Sequence, residues 1–261
     1  MGIVNCTPDS AYADSRSITS EKAIEYALKL IQEGADIIDI GGESTRPGAD
    51  EVSVQEELHR VIPVIEALSR LREVPLSIDS RKPEVVEKAL QAGATMINDV
   101  TGFSHPRMRA LAAESKASCF VMHMKGTPQT MQLKPIYEKG IIREVTEWLV
   151  GQAKLLLEAG VESEKIILDP GIGFGKTMED NFELIRHVAT LKETGFPVLY
   201  GTSRKSFLMH FFGKERHELL SATLAVDSYL MMQQVNYLRV HDIETHKQAR
   251  DLLLHLNNYA I

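Results

Sequence analysis

Eight times along this chain a short apolar run, four to six residues long, stops at a polar residue or glycine, and a stretch with helical spacing follows. The runs fall at 2–5, 36–40, 76–79, 95–99, 118–123, 166–169, 197–201 and 236–241. Near-continuous apolar runs of this length are what strands buried on both faces require, and their alternation with helices calls for a parallel sheet. Between the first two runs, Ala23, Ile24, Ala27, Leu28 and Ile31 repeat at helical spacing, with Ser20 as cap and Gly34 as stop. Further helices are expected at 53–69, after Pro83, after Pro106, and at 138–158, 180–191, 218–232 and 244–256, with a short one starting near Arg204. A chain of 261 residues matches the ~250 of a (β/α)8 barrel, whereas an open doubly wound sheet of this length usually has fewer strands. No linker or low-complexity segment divides it. The expected fold is α/β, a (β/α)8 TIM barrel, as a single domain over 1–261.

Polar residues collect where the runs end: Asn5, Glu43, Asp79, Asn98 with Asp99, His123, Asp169, Ser203 with Lys205, and Arg239 with His241. In a barrel these C-terminal strand ends build the active site. One strand-end Asp is often only a helix cap; eight strands ending this way favour a site. The stretch 165–176, KIILDPGIGFGK, is the sharpest case. Asp169 closes a buried run, where a carboxylate is costly unless paired, and Gly171, Gly173 and Gly175 let backbone come close to a ligand. Neither the G-x-G-x-x-G spacing nor a Walker glycine run before Lys176 is present.

The groups sort by chemistry. Asp79, Asn98 and Asp169 suit a flat heterocycle rich in N–H donors and ring nitrogens, and Phe174, Met122 and Ile97 could wall such a ring. Arg46, Lys205, Arg239 and His241 read as cationic donors for phosphate or carboxylate, beside a loop at 202–206 that enters a helix. A net charge of −7 argues against nucleic acid or an acidic membrane as partner, so an anionic substrate needs its own basic pocket. No apolar run approaches ~18 residues. The two cysteines, Cys6 and Cys119, lack metal spacing and suit a reduced, cytoplasmic protein.

Taken in order, NCTPDS, IDIGGESTRPGA, SIDS, INDV, MHMKGTP, LDPGIGFGKT, GTSRKSF and RVHD resemble the blocks of the dihydropteroate synthases across essentially the whole chain. The resemblance implies a (β/α)8 barrel that condenses 6-hydroxymethyl-7,8-dihydropterin diphosphate with p-aminobenzoate, giving 7,8-dihydropteroate and pyrophosphate. It implies that Asp79, Asn98, Asp169 and Lys205 bind the pterin, that Met122 and Phe174 line its ring, and that Arg239 covers its face. Asn5 matches the position that helps hold Mg2+ with the diphosphate, and Thr45, Arg46, Arg239 and His241 match anion-binding positions. Ser206 matches the position whose backbone receives the aminobenzoate carboxylate. The first loop departs from the family's T-P-D-S-F-S-D-G-G: with one inserted residue, Tyr12 stands for the aromatic, Asp14 for the acid, and Ser15 and Arg16 for the two glycines. Family members are commonly homodimers, with the last two helices as candidates here. Two other readings are a methyltetrahydrofolate–corrinoid methyltransferase, which needs no diphosphate site, and a non-catalytic pterin-binding paralogue.

Overall fold

Each apolar run becomes a strand, and every observed pairing is parallel. The computed structural model describes residues 1–7, 20–45, 48–133 and 135–257. Its strands are β1 (Gly2–Asn5), β2 (Ile38–Gly41), β3 (Leu76–Asp79), β4 (Met96–Asp99), β5 (Ser118–Met122), β6 (Ile166–Asp169), β7 (Leu199–Tyr200) and β8 (Tyr237–Leu238). β1 to β6 form one ladder in sequence order, and β7 pairs with β8. Parallel bridges Leu168–Val198 and Gly2–Val240 join the two ladders on both sides and close the ring. The helices are α1 (Ser20–Gln32), α2 (Val54–Ser69), α3 (Pro83–Ala92), α4 (Pro106–Ser115), α5 (Ile141–Glu158), α6 (Met178–Arg186), α7 (Val188–Lys192), α8 (Ser206–Phe212), α9 (Leu220–Met232) and α10 (Ile243–Asn257). They wrap the outside of the ring.

Strand alternation divides the apolar residues into two cores. In β6, Ile166 and Leu168 join the large cluster between barrel and helices, whereas Ile167 packs inside the barrel with Met1, Ile37, Phe120 and Leu199. Met96 and Tyr237 fill that inner plug further, with Phe120 and Tyr237 edge to face at 5.6 Å. Asp169, two residues after Ile167, shares its side of the strand and lies above the plug. Burial of this kind contributes about 25 cal/mol per Å2 of apolar surface, so the plug is a stable floor for whatever sits over it.

Several element bounds differ from the sequence reading. The runs at 197–201 and 236–241 carry ladders of only two residues each. The stretch 180–191 is two helices rather than one, because His187 leaves helical geometry at φ −102°, ψ 31°. The first of them is held at its start by Thr177 and Asp180, each accepting the other's backbone N–H. Among the described residues no helix is long and apolar enough to cross a membrane.

Candidate active site

At the C-terminal ends of the strands, twelve residues line a small cleft with about 330 Å3 of open volume. Asp79, Asn98, Met122, Asp169, Phe174, Lys205, Arg239 and Thr45, all singled out in the sequence, are among them. A wider hollow of about 960 Å3 lies on the outer wall, beside Lys139, Arg143, Glu147 and Glu183, but none of its charged groups is buried. We place the site at the strand ends, where buried charges converge.

Arg239 organises the polar layer. Its Nε donates to Asp39 Oδ2 at 2.6 Å and its Nη2 to Asp79 Oδ2 at 2.7 Å, so one planar fork spans β2 and β3. Asn98 Nδ2 donates to the same Asp39 oxygen at 3.0 Å. Asp39 is fully buried, and its other oxygen meets no donor among the described residues. Across the cleft, Asp169 Oδ1 accepts the Gly171 N–H at 2.7 Å. Lys205 donates to the Ile172 carbonyl at 3.0 Å and lies 4.3 Å from the centre of the Phe174 ring.

Burial sets the protonation behaviour here. It pushes Asp79 up to about 7 despite Arg239, with Asp39 adding to the rise. Asp169 is also raised by burial, against the Gly171 hydrogen bond and the Lys205 charge. Burial brings Lys205 down to about 8, against the pull of Asp169. Burial thus raises both acids and lowers the base, moving them toward one another as happens at functional sites. His241 is pressed down to about 3 by burial and then by Arg239, so it is a neutral imidazole rather than the cation expected from sequence. Its Nδ1 lies 3.0 Å from Ser203 Oγ.

The glycine-rich exit of β6 has a steric reason. Gly171 sits at φ +68°, and a β-carbon there would meet the His123 carbonyl oxygen at 2.0 Å. At Gly175, φ +65°, it would meet the Lys125 carbonyl at 2.6 Å. The loops after β5 and β6 therefore touch backbone to backbone. Lys176 fastens them: its buried ammonium reaches the Phe174 carbonyl at 2.9 Å, His123 Nδ1 at 3.0 Å and the His123 carbonyl at 3.3 Å. All three acceptors are neutral, and burial lowers Lys176 to about 7. His123 in turn is lowered to about 2, first by burial and then by Lys176, and its ring stands edge-on to Trp148 at 5.0 Å.

Other strand-end residues serve structure. Asp99 accepts the N–H groups of Thr101 and Phe103, making a turn. Glu43 pairs with Arg81 and Lys82 and accepts the Val52 N–H. Ile97 faces the helices, so it cannot wall the cleft; Val100 takes that place. Ser206 opens α8 outside the cleft lining, and half-buried Asn5 ends β1. Tyr12, Asp14 and Arg46 lie outside the described residues. The buried thiols of Cys6 and Cys119 are pushed up to about 12, which leaves them inert. Sequence reasoning missed Asp39, which lies within β2 and not at its end, and the tie made by Lys176.

Comparison with known proteins then decides the family. The model of the pterin binding enzyme family matches residues 1–241. The dihydropteroate synthase of Escherichia coli (strain K12) is 42% identical over 249 residues, covering 95% of this chain and 88% of that protein. The chain belongs to the dihydropteroate synthase family. Two crystal structures of such synthases superpose on it closely. That of Yersinia pestis with a sulfonamide drug has TM-score 0.94 and 35% identity, covering 99% of this chain and 94% of that one. That of Xanthomonas albilineans with 4-aminobenzoic acid has TM-score 0.92 and 39% identity, covering 100% and 93%. The expected barrel is therefore the fold of this synthase-family member.

Proposed function

We propose that the cleft binds 6-hydroxymethyl-7,8-dihydropterin diphosphate and joins it to p-aminobenzoate, releasing pyrophosphate. The carrying observation is the convergence of Asp79, Asn98, Asp169, Lys205 and Arg239 on one cleft walled by Met122, Phe174 and Val100. Carboxylates match the N–H edge of a pterin, the Asn98 amide and Lys205 match its oxygen and ring nitrogens, and the apolar walls match its faces. The likeness to synthases whose structures hold 4-aminobenzoic acid and a sulfonamide supports the second substrate.

In this reading the C–O bond to diphosphate breaks with its electron pair going to the departing oxygen. The arylamine nitrogen then forms the new C–N bond and loses its proton. Asp79 and Asp169 favour the cation that develops on the pterin, a stabilisation worth most in a buried site. Arg239 holds Asp79 in place while its fork remains tied to Asp39. Thr45, Arg46 and His241 receive the diphosphate. Ser203 Oγ accepts the His241 backbone N–H at 3.3 Å and lies 3.0 Å from Nδ1; we assign its hydroxyl as the donor to Nδ1, which puts the ring proton on Nε2 as a neutral donor to the diphosphate. Ser206 receives the aminobenzoate carboxylate. Tyr12 and Asp14 belong to the loop we assign to covering the second substrate.

Mg2+ fits this chain in a limited way. Among the described residues there is no cluster of three His, Cys, Asp or Glu for a metal. The Asn5 side chain has no hydrogen-bond partner there, which leaves one neutral oxygen for a hydrated ion. One protein oxygen plus phosphate oxygens and water is how Mg2+ is often held. Bound so, the ion supplies charge neutralisation to the diphosphate. We also assign a homodimer, supported by the exposed Tyr229 and Met232 of α9 and Leu252 and Leu256 of α10.

Asp169→Asn tests the pterin assignment. The Asn carbonyl oxygen can still accept the Gly171 N–H, so the fold should survive. Pterin-diphosphate affinity by isothermal titration should fall by about 1.5–3 kcal/mol, the worth of a charge-assisted hydrogen bond. Unchanged affinity in a folded variant would sink the assignment.

A further inference from the structure

Behind the cleft, the turn 202–205 that leads from β7 into α8 is held from below by a buried network. Thr202, fully buried, donates its hydroxyl to Asp227 Oδ1 on α9. Asp227, also fully buried, has its Oδ2 2.9 Å from His246 Nε2 on α10. His246 Nδ1 is 2.7 Å from the Asp242 carbonyl oxygen. Both ring nitrogens therefore face atoms that only accept, a carboxylate and a carbonyl. A neutral imidazole has one N–H and could satisfy only one of them; two require the imidazolium.

The neighbouring bonds reinforce the same turn. The Arg204 N–H donates to Thr223 Oγ1 at 3.0 Å, and its guanidinium holds the Asp242 carboxylate. Arg204 itself sits at φ +54°, a strained backbone that the surroundings must fix. Just beyond it come Lys205, on the cleft, and Ser206, at the head of α8.

We propose that Asp227 and His246 are positioning residues of the synthase, an imidazolium–carboxylate pair that acts through Thr202 to hold the turn delivering Lys205 and Ser206. This rests on the reading above that Lys205 and Ser206 meet substrate. The charged groups facing His246 are Asp227 from α9 and the Asp242 carboxylate at the foot of α10, the latter engaged by Arg204 from the turn. Burial lowers His246, but the Asp227 hydrogen bond and charge outweigh it and the net shift is upward. The sign follows from linkage. The pair is complete below the ordinary histidine value of ~6.5 and is lost as pH rises through the raised folded value.

The test uses the full chain. In wild type, the His246 Cε1–H resonance, assigned by its absence in His246→Gln, should titrate above ~6.5, and Asp227→Asn should lower that midpoint. The Lys205 ammonium has its own anchor on the Ile172 carbonyl, so a loosened turn falls first on the Ser206 backbone: in His246→Gln the KM for p-aminobenzoate should rise about threefold or more, with KM for pterin diphosphate within about twofold. Lys205 deprotonation acts on pterin binding at alkaline pH, so the quantity that isolates the pair is the pH dependence of the aminobenzoate KM, wild type minus His246→Gln. Thr202→Val keeps the shape and cuts only the link. It should reproduce the selective KM change while His246 still titrates high, and it decides the matter if His246→Gln does not fold. Hydrogen exchange at the Lys205 amide, which bonds to the Thr202 carbonyl at 3.2 Å, should quicken in either variant. That readout stands even if wild type made no product, an outcome that would refute the reaction and not the pair. A His246 midpoint at or below ~6.5, or both KM values moving together in Thr202→Val, would overturn the proposal.

Discussion

At the scale of single residues, the site depends on charges that burial has made expensive. Lys176 shows this most plainly, since among the described residues its ammonium has three neutral acceptors and no carboxylate in contact. Its value falls from 10.5 to about 7 in the fold. Between those values the unfolded chain binds the extra proton at this site and the folded chain does not, so the contribution of Lys176 to stability rises with pH across that window. Lys176→Met removes the titrating group. The difference in unfolding free energy, wild type minus variant, should climb from pH 7 to 10 by on the order of a few kcal/mol at most, read from urea melts. A flat difference would show that Lys176 stays charged in the fold. Asp169 and Asp79 were legible as strand-end acids. Lys176 was not, because its signal was a lysine behind glycines, and the nearest pattern, a phosphate loop, did not fit. Asp39 was hidden for a different reason. It interrupts an apolar run and looks like part of the strand, and only the fold brings it its partners, Asn98 at the end of β4 and Arg239 just after β8.

At the scale of elements, the loops after β5 and β6 are one unit built by glycine. Gly171→Ala adds a β-carbon 2.0 Å from the His123 carbonyl at a positive φ. Gly213, the C-cap of α8, has φ +63° with open space around the missing β-carbon. Gly213→Ala should therefore show the backbone cost alone, about 1–2 kcal/mol. Gly171→Ala should lose clearly more, and should weaken pterin binding, because the loop carrying Ile172 and Phe174 must shift. Equal thermal unfolding shifts in the two variants would contradict the steric account. The eight strands were readable from apolar runs ending in polar residues. Their registers were not, since a run does not say which residues face inward. That is why Ile97 looked like a wall of the cleft although Val100 occupies it. Helix ends with a side-chain cap, such as Ser53 before α2, were legible; the break at His187 had no glycine or proline to announce it.

At the scale of the whole molecule, the barrel separates stability from chemistry. An apolar plug of Met1, Ile37, Phe120, Ile167 and Leu199 fills its interior below, and the charged layer of Asp39, Asp79, Asn98, Asp169 and Arg239 lies on top. The outer surface carries a second expectation. Met232 and Leu256 are 54% and 66% exposed, although their helices pack on each other. If this face joins two copies, Met232→Asp with Leu256→Asp should halve the sedimenting mass at micromolar concentration and leave the cleft residues untouched. A wild-type chain that sediments as a monomer would remove the dimer from the account. The central claim, that the strand-end layer joins two substrates, is tested most directly by mixing the chain with pterin diphosphate, p-aminobenzoate and Mg2+ while following both products. Pyrophosphate and 7,8-dihydropteroate should appear in equal amounts, and only when aminobenzoate is present. Tight pterin-diphosphate binding with no pyrophosphate released, or release that ignores aminobenzoate, would contradict it.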